Sequence, residues 1–234
     1  EITTRLVGSE MCIRDRWGNL AYSQILNVED ETIRAIKTLG LKASTVPQLM
    51  AEARKVVSGR GLDITPFKEL LEKYVDEEKI RSSPCDLYVT SLSVTDRREV
   101  VFDVKQAPSG TIKDVLLASA YFPAFKNEKL GGKTYLDGGM VNNVPVDVLA
   151  ERGYKNLIVI RIYGIGVDTE RRAELPEDVN VYRIAPRRNL GGILEFEKKR
   201  TRRSMTLGYF DARRLLYGLA GRKYYFYLPH TEAY

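Results

Sequence analysis

Hydrophobic and polar residues follow two different periods along this chain of 234 residues. Apolar residues spaced three and four positions apart predict amphipathic helices, and short runs rich in β-branched and aromatic residues predict strands. Helices are predicted at residues 28–39, 65–74, 111–120 and 193–219, and strands at residues 86–92, 99–104, 133–136, 156–162 and 179–184. Because helices alternate with strands, the pattern predicts a layered α/β fold.

Local signals predict where several of these elements begin and end. Gly40 follows the first helix as a stop, because glycine readily adopts the left-handed conformation found at helix ends. Thr65 and Pro66 suit the cap and the first turn of the second helix. The third helix must end before Pro123. The β-branched run at residues 156–162 predicts a buried strand.

A single carboxylate follows the short strand at residues 133–136. Asp137 ends this strand and is followed by Gly138 and Gly139, which allow a positive φ or a close approach to a neighbouring chain segment. Pro145 then suits the first turn of another helix. The acid is therefore predicted to sit on a rigid scaffold with little side chain around it, which makes it a candidate for chemistry.

These residues resemble the patatin-like phospholipases, whose catalytic aspartate lies in an Asp-Gly-Gly or Asp-Gly-Ala motif followed by Asn-x-Pro. Residues 118–125 resemble the Ala-Ser-x-x-x-Pro segment of that family, and residues 145–160 resemble its next helix and strand. The resemblance covers roughly residues 17–163. It implies a patatin-like layered fold with a mainly parallel central sheet flanked by helices.

The resemblance also implies a lipid acyl hydrolase of the phospholipase A or esterase type, using a Ser/Asp dyad. Asp137 would be the proton acceptor of that dyad, and Gly138 and Gly139 would complete its motif. A serine would attack the ester carbonyl while the carboxylate takes its proton. The single histidine, His230, lies near the end of the sequence, which disfavours a Ser-His-Asp triad.

The nucleophile that this chemistry needs cannot be identified in the sequence. The family carries its serine in Gly-x-Ser-x-Gly and its oxyanion hole in an earlier glycine-rich loop. Neither motif occurs, and serines such as Ser9, Ser58 and Ser109 lack glycines two residues away on both sides. No nucleophile and no oxyanion-hole residue is therefore assigned. We expect the chain as written to be inactive and to lack the oxyanion-loop and nucleophile-elbow elements.

The first residues suggest a reason for this loss. Residues 6–16 resemble the translation of a sequencing-library adapter, so we expect the authentic sequence to begin near Trp17. The predicted divisions are a non-native segment at 1–16, the C-terminal part of a patatin-like domain at 17–165, and a basic, partly helical C-terminal extension at 166–234. A domain without its central strands should expose a strand edge and apolar surface, and should be poorly soluble.

The positive charge of the chain is also consistent with a second class of function. The chain has a net charge of +6, and the predicted helix at residues 193–219 carries seven Lys and Arg side chains, five at residues 198–203 and two at residues 213–214. This helix is interpreted either as a core helix with a solvated basic face or as a surface that attracts anionic lipid. The alternative function is therefore a non-catalytic module that binds lipid or a membrane surface.

A different esterase or thioesterase, in which Asp137 acts with another serine of the chain, is a further alternative.

Other features narrow the expected partners. No apolar run approaches the roughly 20 residues needed to span a bilayer. Apart from Cys12 in the adapter-like segment, Cys85 is the one cysteine, and no Cys/His spacing suggests zinc. The aromatic residues 224–227 favour a final strand or a hydrophobic anchor over base stacking. We expect no metal, cofactor or nucleic acid, a lipid ester substrate, and a cytoplasmic or peripheral membrane location; the sequence makes no prediction of oligomeric state.

Overall fold

The structure is a computed structural model, and it describes residues 10–27, 29, 34, 61–162, 175–188, 190–191, 197–221 and 226. Its helices are α1 (Glu10–Asn19), α2 (Thr65–Tyr74), α3 (Glu77–Ser82), α4 (Ile112–Ser119), α5 (Val146–Ala150) and α6 (Lys198–Tyr217). Its strands are β1 (Tyr88–Ser93), β2 (Arg98–Asp103), β3 (Tyr135–Asp137), β4 (Asn156–Ile160) and β5 (Asn180–Ile184). Short 3-10 helices lie at Tyr22–Gln24, Val104–Gln106 and Gly138–Met140.

The described strands form two sheets. The first has the order β2-β1-β3, and both of its strand pairs are antiparallel. The second contains β4 and β5 in parallel register. The expected α/β class is confirmed, but in the described residues the expected mainly parallel central sheet is not seen. Four residues separate the end of β1 from the start of β2, and so short a connection can only return the chain antiparallel.

Helix α4 links the antiparallel sheet to the main hydrophobic core. It packs against β1 and β3, and its buried Leu117 joins a cluster with Tyr121, Phe122 and Phe125. Helix α2 covers the same cluster through partly buried apolar side chains, which follow the spacing of an amphipathic helix. The core therefore lies directly behind the strand that carries Asp137.

Helix α2 begins one residue earlier than the sequence predicts, with Ile64 at the N-cap position. Thr65 is the first helical residue, and the Oδ1 atom of Asp63 accepts hydrogen bonds from Thr65 N at 2.9 Å and from Thr65 Oγ1 at 2.7 Å. These bonds lower the pKa of Asp63 to about 2, so its carboxylate stays charged at neutral pH. Pro66 takes the predicted place in the first turn. The first backbone N–H of the helix is thus bound by the side chain of Asp63, and Thr65 lies inside the helix instead of capping it.

Strand β4 is not buried on both faces as its composition predicts. Leu157 and Val159 point into a small cluster with Val146, whereas Ile158, Ile160 and Ile162 are 59%, 71% and 73% exposed. Helix α5 packs on the covered face. The strand belongs to a two-layer arrangement here, and its uncovered face exposes apolar side chains.

The long basic helix is described from Lys198 to Tyr217. Helix α6 begins at Lys198, and residues 192–196 lie outside the described residues. It contacts α1 and β5, and its buried residue is Asp211, whose Oδ1 accepts a hydrogen bond from Arg187 Nε at 3.0 Å. The helix is therefore fixed on the protein by a polar contact, and its apolar side chains are at most half-buried.

Several sequence predictions fall outside the described part of the chain. The predicted helix at residues 28–39, His230 and most of the aromatic run at residues 224–227 are among them. The predicted divisions at residues 16 and 165 stay predictions, although the β4–β5 pair joins residues from both sides of the second one. Among the described residues, no helix is both long enough and apolar enough to span a membrane.

Candidate active site

Asp137 lies at the end of β3, the outer strand of the antiparallel sheet among the described residues. Its Cα is paired with that of Ser91 on β1, and its backbone N donates a hydrogen bond to Tyr121 O at 2.8 Å. The strand is held on one side by β1 and at its end by the segment that follows α4. The carboxylate is therefore carried by two rigid elements, as the sequence pattern predicts.

The carboxylate of Asp137 is half-buried and is oriented by one backbone donor. Its Oδ1 atom accepts a hydrogen bond from Gly139 N at 2.7 Å, which also caps the 3-10 helix at Gly138–Met140. Its Oδ2 atom accepts no hydrogen bond from the residues that the structure describes. Burial raises the pKa of Asp137, and the bond from Gly139 partly offsets this rise. A carboxylate in this state is a stronger base than an exposed one, with one oxygen available to take a proton.

The two glycines after Asp137 have different structural roles. A Cβ atom on Gly138 would lie 2.2 Å from Thr90 O and 2.4 Å from Thr90 Oγ1, so no side chain fits there. A Cβ atom on Gly139 would lie 3.1 Å from an oxygen of Asp137 and from one of Asn143. This contact is close, but the clash is less severe than the one at Gly138. Neither glycine has a positive φ. Close approach, and not the left-handed conformation, explains why glycine is needed.

This difference accounts for the form of the motif that the sequence resembles. That motif allows alanine in place of the second glycine but not of the first. In this chain the first glycine faces the backbone of Thr90, which cannot move without disturbing β1. The second glycine faces the ends of two side chains, which can shift by a few tenths of an ångström.

The second segment singled out in the sequence packs directly beside Asp137. Tyr121 is fully buried; its carbonyl holds Asp137 N, and its hydroxyl donates to Lys126 O at 2.7 Å and accepts from Glu128 N at 3.0 Å. Ala118 O accepts a hydrogen bond from Ser91 Oγ at 2.9 Å. Residues 118–125 are therefore the support on which the strand carrying Asp137 rests.

Asn142 is a structural residue of the site to which the sequence pattern assigned no role. It is 1% exposed, and its Nδ2 donates to Glu99 Oε1 at 3.1 Å and to Asp147 Oδ1 at 3.0 Å. Its backbone N donates to Gly138 O at 2.9 Å. One buried amide thus joins the turn after Asp137 to β2 and to α5. In the sequence Asn142 lies one residue before the Asn-x-Pro motif, which begins at Asn143, so the motif does not identify it.

We predict that Asn142→Asp strongly destabilises the fold at neutral pH. The change removes the shared donor and places a third, buried carboxylate between Glu99 and Asp147, at a cost of roughly 3–5 kcal/mol. Burial and the two acids would raise the pKa of the new carboxyl in the folded state. Stability is then lost as the pH rises above about 4, and is regained at lower pH.

Chemical denaturation at pH 7 and pH 4 measures this effect. The control is Asn156→Asp, because Asn156 is exposed and its Oδ1 accepts a hydrogen bond from Asn180 Nδ2 that a carboxylate can also accept. We expect the control to unfold much as the parent protein does at both pH values. Equal stability of the two variants at pH 7 would show that the Asn142 amide does not hold the turn.

The serine paired with Asp137 in the sheet is not placed to be its nucleophile. Ser91 is fully buried, and its hydroxyl lies 2.9 Å from both Ala118 O and Leu136 O, to which its one proton is shared. Ser93, also fully buried, donates to Asp96 Oδ2 at 3.0 Å and accepts from Asp96 N at 3.1 Å. Both hydroxyls are used in structural hydrogen bonds. Like the sequence, the sheet around Asp137 provides no serine that can be assigned as nucleophile.

The described residues do not form a metal-binding cluster of His, Cys, Asp and Glu. Cys85, which is half-buried, is a free cysteine. In the part of the chain that the structure describes, the hydrogen-bond donor to the Asp137 carboxylate is the backbone amide of Gly139. The arrangement is suited to proton transfer by a carboxylate.

Comparison with protein families agrees with this geometry. A model of the family described as patatin-like phospholipase matches residues 12–150, more than half of the chain. The match includes Asp137 with its two glycines, and residues 118–125 that support it. A comparison with curated proteins gave no match. The chain belongs to the patatin-like phospholipase family.

Proposed function

We propose that this chain is part of a lipid acyl hydrolase and that Asp137 is the carboxylate of its Ser/Asp dyad. The family suggests lipid hydrolase activity. The proposed role of Asp137 in the dyad rests on the hydrogen bonding and the pKa of its carboxylate. One oxygen is fixed by Gly139 N, and burial raises the pKa of the group. The expected substrates are carboxylic esters of lipids.

In the proposed reaction Asp137 accepts a proton and then gives it up, once in each half of the cycle. As the serine oxygen bonds to the ester carbonyl carbon, the serine proton passes to the carboxylate. The protonated Asp137 then gives that proton to the leaving alcohol as the ester C–O bond breaks. In the second half of the cycle water attacks the acyl-serine and loses a proton to Asp137. As the acyl-serine bond breaks, Asp137 gives that proton to the serine oxygen. Asp137 is ionised at the start and at the end of the cycle.

The raised pKa serves both halves of this cycle. An ordinary aspartate is a weak base at neutral pH, because its conjugate acid is strongly dissociated. Burial disfavours the charged form and so makes proton uptake easier. The single bond from Gly139 N keeps the group oriented without removing this gain. The oxyanion hole must come from elsewhere, because no candidate for it is found near Asp137 in the described residues.

We predict that the 234-residue chain by itself hydrolyses nitrophenyl esters no faster than its Asp137→Ala variant. The sequence has no Gly-x-Ser-x-Gly motif, and Ser91 and Ser93 are buried in structural hydrogen bonds. Ester turnover and labelling by a fluorophosphonate probe measure the two outcomes. A clear rate that depends on Asp137, together with a labelled serine, would contradict this prediction and would identify the nucleophile.

A second candidate function is a module that binds a membrane surface through α6. Near its C-terminal end, Tyr209, Leu216 and Tyr217 are 55%, 57% and 62% exposed, and the Arg213 guanidinium lies 5.5 Å and 5.0 Å from the two tyrosine ring centres. Exposed aromatic and basic side chains together suit the interface of an anionic bilayer. Cosedimentation with anionic vesicles, without hydrolysis even when a catalytic serine is supplied, would favour this function over the first.

A further inference from the structure

A basic cavity lies between the first half of α6 and the segment after β5. Its volume is about 360 Å³. The described residues that line it are Arg188, Leu190, Glu197, Lys199, Arg200, Arg203, Ser204 and Leu207. Four of these side chains carry a positive charge and one carries a negative charge. None of them belongs to the segment around Asp137, so this cavity is a separate feature of the molecule.

The helical spacing explains why so many cations meet in one place. Arg200, Ser204 and Leu207 are separated by four and three residues, so they follow one face of α6. Lys199 and Arg203 are four residues apart and form the adjacent row on the same side. The N-terminal half of the helix therefore directs three cations toward a common space.

The opposite wall is held in place by a specific contact. Arg187 Nε donates to the buried carboxylate of Asp211 at 3.0 Å, and Arg187 Nη1 donates to Gly221 O at 3.0 Å. These bonds fix the segment after β5 against α6. Arg188, the next residue, lines the cavity from this side. The site thus combines charges from two chain segments that are fixed relative to each other.

Such an arrangement favours an anion over other ligands. Like charges at short range repel one another, and an anion that bonds to several of them removes this cost. Guanidinium groups match the oxygens of a phosphate with two parallel hydrogen bonds, and lysine adds a point charge. A divalent cation would be repelled. The hydroxyl of Ser204 offers a further donor, and Leu190 and Leu207 offer apolar contact.

We propose that this cavity binds the phosphate group of a phosphate ester, with the small organic part of the ester resting on the leucines. A volume of about 360 Å³ is within the usual range of small-ligand sites and exceeds what a bare phosphate needs. A phosphate ester is available from two sources, a soluble metabolite or the head group of a phospholipid. The proposal is independent of any role for Asp137.

The test compares two double variants with the same change in charge. Lys199→Gln with Arg203→Gln removes two cations from the cavity. Lys198→Gln with Arg202→Gln removes two cations from the same turns of α6, at exposed residues that do not line it. Arg188→Gln tests the opposite wall. Thermal unfolding of each variant verifies that the fold is kept.

Binding is measured with inorganic phosphate, with glycerol phosphate, and with phosphatidylcholine vesicles with and without phosphatidic acid. We expect the cavity double variant and Arg188→Gln to weaken glycerol phosphate binding about tenfold or more, and the control pair to weaken it less than about threefold. Binding of glycerol phosphate without cosedimentation assigns a soluble ligand, and phosphatidic acid-dependent cosedimentation lost in the same variants assigns a lipid head group. Equal weakening in both double variants, or no saturable binding to any probe, would overturn the proposal.

Discussion

Asp137→Asn is expected to abolish ester hydrolysis while making the protein more stable. The experiment needs a chain that contains a nucleophile. A suitable one is a chimera in which residues 1–16 are replaced by the oxyanion-loop and Gly-x-Ser-x-Gly segments of a characterised patatin-like phospholipase. Loss of the proton acceptor should lower kcat/KM by roughly 10²–10⁴-fold. In the parent chimera the rate should fall as the pH drops through the raised pKa of Asp137, because only the ionised form accepts a proton.

The gain in stability follows from the same raised pKa. The folded state binds the Asp137 proton more tightly than the unfolded chain does, so ionisation of this half-buried group lowers the free energy of unfolding as the pH rises. Asparagine is uncharged and can still accept the hydrogen bond from Gly139 N. We therefore expect Asp137→Asn to raise the free energy of unfolding at pH 7 by about 0.5–2 kcal/mol, and the difference to shrink at acid pH.

Denaturation of the 234-residue chain at pH 7 and pH 4 measures this difference without any need for activity. Asp178→Asn is the control, because Asp178 is exposed and its carboxylate pairs with Lys155. Lys155 lowers the pKa of Asp178, so its ionisation has the opposite effect on stability. A loss of stability in Asp137→Asn at pH 7 would mean that the carboxylate is a structural group.

Gly138→Ala is expected to disrupt the site and much of the fold around it. The added Cβ would lie 2.2 Å from Thr90 O, far inside van der Waals contact, and both partners belong to paired strands or their immediate ends. Relief requires a shift of β1 or of the turn after Asp137. The expected cost is at the upper end for overpacked sites, about 3 kcal/mol or more. Chemical denaturation of the 234-residue chain measures it.

Alanine substitutions at two other glycines are the controls for Gly138→Ala. Gly139→Ala meets its nearest atoms at 3.1 Å, so its cost should be clearly smaller. Gly208 is exposed in the interior of α6 with nothing near its added Cβ, so Gly208→Ala should stabilise the protein by about 0.5–1 kcal/mol. If Gly138→Ala proved no more costly than Gly139→Ala, the close packing of the motif on Thr90 would be wrong.

The sequence predicts the local geometry of the site better than its surroundings. The position of Asp137 at a strand end and the helix after Pro145 both depend on neighbouring residues, and both are seen in the structure. The hydrogen bonds of Tyr121 and Asn142 join residues that are far apart in the sequence. No periodicity contains that information, so their roles could not be derived.

The arrangement of the sheets also could not be predicted from the local sequence pattern. Residues 156–162 have the composition of a buried strand, but burial depends on whether a second layer covers the strand, and α5 covers one face of β4. The cations of α6 could be counted in the sequence, whereas the wall formed by Arg188 depends on the contact between Arg187 and Asp211. Packing between distant segments decided each of these features.

The most direct test of the central claim, that Asp137 is the catalytic carboxylate, is the rate of ester hydrolysis by the serine-containing chimera and its Asp137→Asn variant at pH 7. The proposed function predicts a rate in the parent chimera and in Asp178→Asn, and a loss of roughly 10²–10⁴-fold in Asp137→Asn, with the folded state intact. A rate in Asp137→Asn equal to that of the parent chimera would remove Asp137 from the mechanism.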